Sequence, residues 1–247
     1  QVHSLSLSGG SKGTSYRVSG NIRDVNGIAL NTGFFQANGR INLQQKALND
    51  RLTVNANLNV TTRDGEFGDP SAFRYATIYN PTAPVRDPAF DDTNDGFFEQ
   101  NLFDYRNPVA ILEQNPNEFE NRNTIVSLRG TYTLLPGLDI GAFYSQERND
   151  FQNRRYADKN SLGQGADRNG FASQRNDKRL SELFEATVNY ETTIAGAEMD
   201  FTGGYSYQDF TNSGFGAEGG NIISDAFTFN NFGAAQDFNN GLGSVFS

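Results

Sequence analysis

Apolar and polar residues alternate with period two along much of this chain, the signature of β-strands with two chemically different faces. In Arg51–Thr61, Leu52, Val54, Ala56, Leu58 and Val60 point one way, while Thr53, Asn55, Asn57 and Asn59 point the other. The same alternation sets Tyr16, Val18, Gly20 and Ile22 against Arg17, Ser19, Asn21 and Arg23, and Phe35, Ala37, Gly39, Ile41 and Leu43 against Gln36, Asn38, Arg40 and Asn42. It returns at Val126–Leu134, Phe184–Glu191 and Met199–Gln208. Residues 4–9 and 138–149 carry a noisier version, the second because Phe143 stands among the polar positions. About eight strands of roughly eight to twelve residues result, longer than the five or six typical of soluble proteins.

Strands of about nine to eleven tilted residues are what a bilayer requires. Aromatic residues near several strand ends (Tyr16, Phe34, Phe35, Tyr132, Tyr144, Tyr190, Tyr205 and Tyr207) suit an interfacial girdle. Asp24–Gly27, Leu48–Asp50, Leu135–Gly137 and Ile194–Gly196 carry turn-favouring residues. Between them lie long connections near 63–122, 150–178 and 210–247, with room for about two helical turns at Pro108–Gln114. Short turns on one rim and long loops on the other predict an all-β fold, an antiparallel transmembrane β-barrel. A soluble β-sandwich with one wetted face per sheet also alternates and is the competing architecture.

Composition narrows the function. The 247 residues carry 20 Lys and Arg against 29 Asp and Glu, a net charge of −9, which disfavours nucleic-acid binding. No apolar run approaches the length of a transmembrane helix, which leaves strands as the means of crossing. Cysteine is absent and His3 is the lone histidine, so thiol chemistry and His-based triads or metal sites fail, and no catalytic constellation emerges. The reading is of a protein that is not an enzyme. The chain starts at Gln1 and carries one methionine, Met199, which fits a processed chain or an internal segment.

Several strings then resemble a known family. Ser6–Ser19, Asn38–Leu43 and Leu48–Val54 resemble the early barrel of SusC-like (RagA/SusC family) TonB-dependent outer-membrane transporters of the Bacteroidetes. Phe73-Arg-Tyr-Ala-Thr-Ile-Tyr-Asn-Pro-Thr-Ala-Pro-Val85 and Asn107–Gln114 are similar to that family's large early extracellular loop, and Asn221–Asp225 and Asn231–Ala235 to its pattern before a later strand. The resemblance implies that residues 1–247 form part of one 22-stranded barrel domain in the cell outer membrane. Plug, TonB box and C-terminal strands would lie outside this chain. It further implies import of oligosaccharide or peptide, a SusD-like surface lipoprotein as lid, and coupling to the TonB complex through parts not in this chain. Outer-membrane lipid and lipopolysaccharide would surround it, with no nucleic acid among its partners. A passive porin or adhesion barrel and a soluble carbohydrate-binding sandwich are the alternatives.

The candidate substrate-binding residues are Phe73, Arg74, Tyr75, Tyr79, Asn80, Phe97, Phe98, Tyr105 and Arg106, with Phe103 among them in the loop. Rings beside amides and guanidinium groups offer stacking plus hydrogen bonds to a sugar or peptide, and equally the means to pack a long loop against itself. Asp91-Asp-Thr-Asn-Asp-Gly96 with Glu99 partly matches a Ca²⁺ loop, but Thr93 departs from the pattern and Leu102 stands where the bidentate Glu is needed. A solvated acidic turn is the better reading, any Ca²⁺ there would be structural, and neither metal nor cofactor is expected. Arg154, Arg155, Lys159, Arg168, Arg175, Lys178 and Arg179 gather around the second long connection, with Asp150, Asp158, Asp167 and Asp177 as balancing charges. Asp139, Glu185, Glu191 and Asp200 are expected to line a polar lumen.

Overall fold

A computed structural model describes residues 1–100, 102, 104–230, 232–240 and 244–246. Eight strands follow one another as an antiparallel meander: β1 (Val2–Ser11), β2 (Thr14–Asn26), β3 (Gly33–Ala47), β4 (Leu52–Glu66), β5 (Asn117–Leu135), β6 (Leu138–Ala157), β7 (Phe171–Ile194) and β8 (Ala197–Ile222). Two short strands, β9 (Ala235–Asn240) and β10 (Ser244–Phe246), pair back onto the upper part of β8.

Register converts the alternation into a surface. Leu7, Val18, Ile41, Leu58 and Val126 stand opposite one another on five successive strands. The neighbouring row runs Tyr16, Leu43, Ala56, Leu128, Tyr144, Phe184 and Tyr207. One face of the sheet is therefore a continuous apolar belt. On β4 it spans Leu52 to Val60, ~26 Å along the strand at about 3.3 Å per residue, close to the apolar band of a membrane barrel. Its side chains lie open, with Leu128 50 % and Tyr205 62 % exposed. A bare apolar area of this width needs a cover. The described strands form one continuous sheet rather than two packed face to face. Among the described residues no helix is long and apolar enough to cross a membrane, which says nothing of strands.

The turn rim is built by short connections. Lys12–Gly13 joins β1 to β2, with Gly13 at φ +85°. Pro136–Gly137 joins β5 to β6, and a Cβ on Gly137 would stand 2.3 Å from the Glu191 carbonyl oxygen. Ala195 and Gly196, both at positive φ, form a two-residue hairpin between β7 and β8 that matches the twist of its strands. The opposite rim carries residues 67–116, 158–170 and the segment after Ile222.

Three sequence expectations change. Asp24–Asn26 belong to β2, and the true connection, Gly27–Thr32, lies on the long-loop rim. The strands also run longer than their apolar stretches: β5 has 19 residues, β6 20, β7 24 and β8 26. The second and third long connections are thus mostly strand. Phe34 is no girdle residue, because it lies on the polar face beneath Arg63, 4.0 Å from the guanidinium carbon to the ring centre.

Candidate functional site

The buried core sits at the loop rim, in the folded connections and at the upper ends of β5–β8, where Tyr156, Ala172, Ile222 and Phe229 pack together. In the connection 67–116, α1 (Ser71–Ile78) and α3 (Pro108–Glu113) pack Ala72, Tyr75 and Ile111 together. Helix α3 starts where Asn107 caps it and Pro108 takes the first helical position, where no amide donor is missed. Asn107 is fully buried. Its side-chain oxygen accepts from the Val109 N–H at 3.0 Å, and its amide nitrogen donates to the Val85 and Phe98 carbonyls at 2.8 and 3.1 Å.

Most of the expected binding residues are engaged within this loop. Tyr75 is buried and donates to Asp104 Oδ1 at 2.6 Å, while Arg74 pairs with Asp104 Oδ2 at 2.5 Å. The donated hydroxyl raises the Tyr75 pKa and lowers that of Asp104, Arg74 adding to the latter. Tyr79 stacks on Tyr105 with ring centres 5.6 Å apart and donates to Pro84 and Phe98 carbonyls. Tyr105 donates to the Ile78 carbonyl, Phe98 meets Phe90 edge-on, and Phe97 is buried beneath Arg86 at 3.9 Å. Phe73 is half exposed, and Asn80 is exposed, its oxygen accepting from Thr82. Arg106 donates to the Leu162 carbonyl, tying the first connection to the second. Phe103 lies outside the described residues.

Asp91–Asn94 form a single helical turn, α2, followed by Asp95 at φ +52°. The Asp95 carboxylate accepts from Gln114 Nε2 at 2.6 Å and Asn160 Nδ2 at 2.9 Å, so both its oxygens bind protein amides. Glu99 takes the Asn107 N–H at 2.9 Å, and burial pushes its carboxyl up. Beside it opens a cavity of about 330 Å³ between the first two connections, lined among others by Glu99, Arg106, Asn115 and Arg155.

All three connections meet at one acidic junction. Tyr156 donates to Asp225, and the Lys159 ammonium lies 3.9 Å from the Asp225 carboxylate. Asp158 stands among Asp95 and Asp225, and its carboxyl is pushed up to about 6, first by burial and then by those two acids. The basic residues of the second connection find other partners than sequence neighbours suggest. Arg154 pairs with Glu118 and Glu120 across β5, Arg168 with Glu218 and Asp237, and Arg175 alone with an expected acid, Asp177.

Below the rim, the polar face is a lattice of amides. Asn38 donates to Asn59 and Thr61, Asn57 to Ser127, Asn123 to Glu147, Asn149 to Asn121 and Asn153 to Asn117. Phe143, the residue that blurs the alternation of β6, lies on this face with the Arg129 guanidinium 4.5 Å above its ring. Phe119 stacks between Phe67 and Phe151 near the top.

No protein-family model matches the chain. Among curated proteins it is similar to TonB-dependent receptor P3 of Formosa agariphila, 23% identical over 246 residues, covering 92% of this chain and 23% of the relative. Among solved structures it is similar to the RagAB peptide transporter, with TM-score 0.78 and 19% identity over 99% of this chain and 28% of that one. The open-open state of the RagAB peptide importer gives 0.76 over the same shares. BauA, the ferric preacinetobactin receptor of Acinetobacter baumannii, gives 0.53 at 13% identity, over 90% of this chain and 29% of that one. The chain spans about a quarter of the length of the proteins it matches. At these identities the structural likeness shows the fold, the antiparallel wall of a TonB-dependent receptor barrel. The likeness read from the early-barrel and loop strings is met by both comparisons.

Proposed function

We propose that this chain forms part of the wall and extracellular rim of an outer-membrane importer driven by TonB, taking up oligosaccharide or peptide beneath a SusD-like lipoprotein lid. The observation that carries this reading is the pairing of a bare apolar belt with an amide-lined opposite face, crowned on one rim by a folded loop system. A belt in lipid and a hydrated lumen account for both faces at once. The fold shared with TonB-dependent receptors supports the energy source, which acts through parts of the protein beyond this wall. At the rim, Phe73 keeps a ring free of the loop's own packing, and Arg106 borders the 330 Å³ cavity. These two, with the exposed Asn80, are the residues best placed to meet a solute.

The test uses the full-length protein in outer membranes of its host. Uptake of labelled oligosaccharide and peptide pools is compared with and without a functional TonB, and proteins that co-purify are identified. TonB-dependent uptake with a lipoprotein in the complex is the expected result. Uptake that persists without TonB would instead make the protein a passive pore.

A further inference from the structure

The polar face of β2–β5 bears only cations. Its inward positions are Ser15 to Val25 on β2, Phe34 to Lys46 on β3, Thr53 to Gly65 on β4 and Asn117 to Thr133 on β5, taken every second residue. Arg17, Arg23, Arg40, Lys46, Arg63 and Arg129 are the charged residues among them, and no Asp or Glu occurs. The acids of this region, such as Asp64, Glu66, Glu118 and Glu120, all stand on the opposite face. Carboxylates return to the polar face on β6–β8, with Asp139, Glu147, Asp177, Glu185 and Glu191.

Register arranges these cations by height. Lys46 is level with Thr53, Arg129 with Asn55, Arg17 with Asn42 and Asn57, and Arg40 with Asn59. The next level holds only amides and Thr61, and the one above holds Arg23 and Arg63 on either side of Gln36. Successive levels are two residues apart, about 7 Å. The result is a staircase of positive charge from turn rim to loop rim, with Asn and Gln between the steps.

Among the described residues the staircase is unneutralised. Among the described residues none of the six cations has a carboxylate at ion-pair distance; every ion pair lies elsewhere. Three are propped on rings instead: Arg23 and Arg63 over Phe34 at 5.4 and 4.0 Å, and Arg129 over Phe143 at 4.5 Å. A ring face steadies a guanidinium while leaving its N–H fork free. In a lumen walled by protein, charges of one sign focus counter-charge and raise its local concentration.

Resting on the import reading above, we infer that this wall binds and conducts anionic solutes, bearing carboxylate or sulfate groups spaced along an extended backbone. An acidic segment of the same protein packed along this wall is the competing occupant, and the stability of the variants below tests it. A path needs what is seen, cations at nearly every level with hydroxyl-binding amides between them.

The experiment uses full-length protein and two probes on one backbone, tetragalacturonate and its fully methyl-esterified form, in which each carboxylate becomes a neutral methyl ester. Binding to the purified protein is measured at low and high salt for the parent, for the triple variant Arg17→Gln, Arg40→Gln, Arg129→Gln, and for the same three positions changed to Lys. Heat-modifiable mobility reports that each barrel is assembled. The expected result is at least tenfold tighter binding of the charged probe, lost in the Gln variant, largely restored by Lys and weakened by salt. Equal binding of the two probes, or none of the charged one, overturns the inference. So does a Gln variant that binds unchanged but has lost thermal stability, which would assign the cations to an acidic part of the protein itself. Uptake of the charged probe with and without TonB separates the two readings. A charge preference without TonB dependence sinks the import reading alone, and TonB dependence without charge preference sinks this one alone.

Discussion

Asp158 concentrates the chemistry of the rim in one carboxyl. It is half-buried, it faces Asp95 from the first connection and Asp225 from the third, and the Asn160 backbone N–H donates to it at 2.9 Å. Its neighbours also include the Tyr156 hydroxyl and the Lys159 ammonium, both directed to Asp225. Unfolded, the group titrates near 3.8; in the folded junction it titrates at about 6, so the folded state holds the proton more tightly. Its stabilisation is therefore complete below about pH 4, declines as pH rises through about 6, and is absent at neutrality. Asp158→Asn should remove that dependence and strengthen the junction at pH 7, by ~1 kcal/mol once solvent screening of a half-exposed group is discounted. Hydrogen exchange of residues 158–170 in the full-length protein between pH 4 and pH 7 would test it. A variant with the parent's pH profile would remove Asp158 as the cause.

Each strand carries two sentences of sequence, one per face, and a pair of substitutions one residue apart separates them. Ala56→Arg puts a charge in the belt and should cost about 2–4 kcal/mol if that face meets the bilayer midplane. Asn57→Arg, on the amide face, should cost little. Folding of the full-length barrel into vesicles, followed by denaturant titration, reads both; equal penalties would mean that the belt is not in lipid. The strands were legible where this contrast holds, as at Leu52–Val60. Above the belt the outward face turns polar, with Asp64 and Glu66 on β4, Glu118, Glu120 and Arg122 on β5, and Arg148 and Asp150 on β6. Alternation then disappears although the hydrogen-bonded ladder continues, which is why these stretches read as loop. The helical turns at Pro108–Gln114 were legible because Asn-Pro is a strong start signal. Helix α1 lacked both a capping side chain and an acidic first turn, and gave no such sign. The site followed the same logic. Single cations could be named from the sequence, but the pairing of Arg154 with Glu118, and the levels of the staircase, exist only in the register.

Across the whole sheet, strand length climbs from 10 residues in β1 to 26 in β8. The belt does not climb with it; on β7 it occupies Phe184–Tyr190, while Phe171–Leu180 rise beyond it. From Phe171 to Tyr190 β7 is hydrogen-bonded on both sides, so the two halves of this stretch have the same ladder and differ only in what surrounds them. Deuterium would read that difference as a step within one continuous strand. In lipid nanodiscs, amides at Phe184–Tyr190 should exchange far more slowly than those at Ser173–Lys178, where water reaches the ladder and opening is local. The step marks the height of the membrane surface on the protein, and a uniform rate along β7 would erase it.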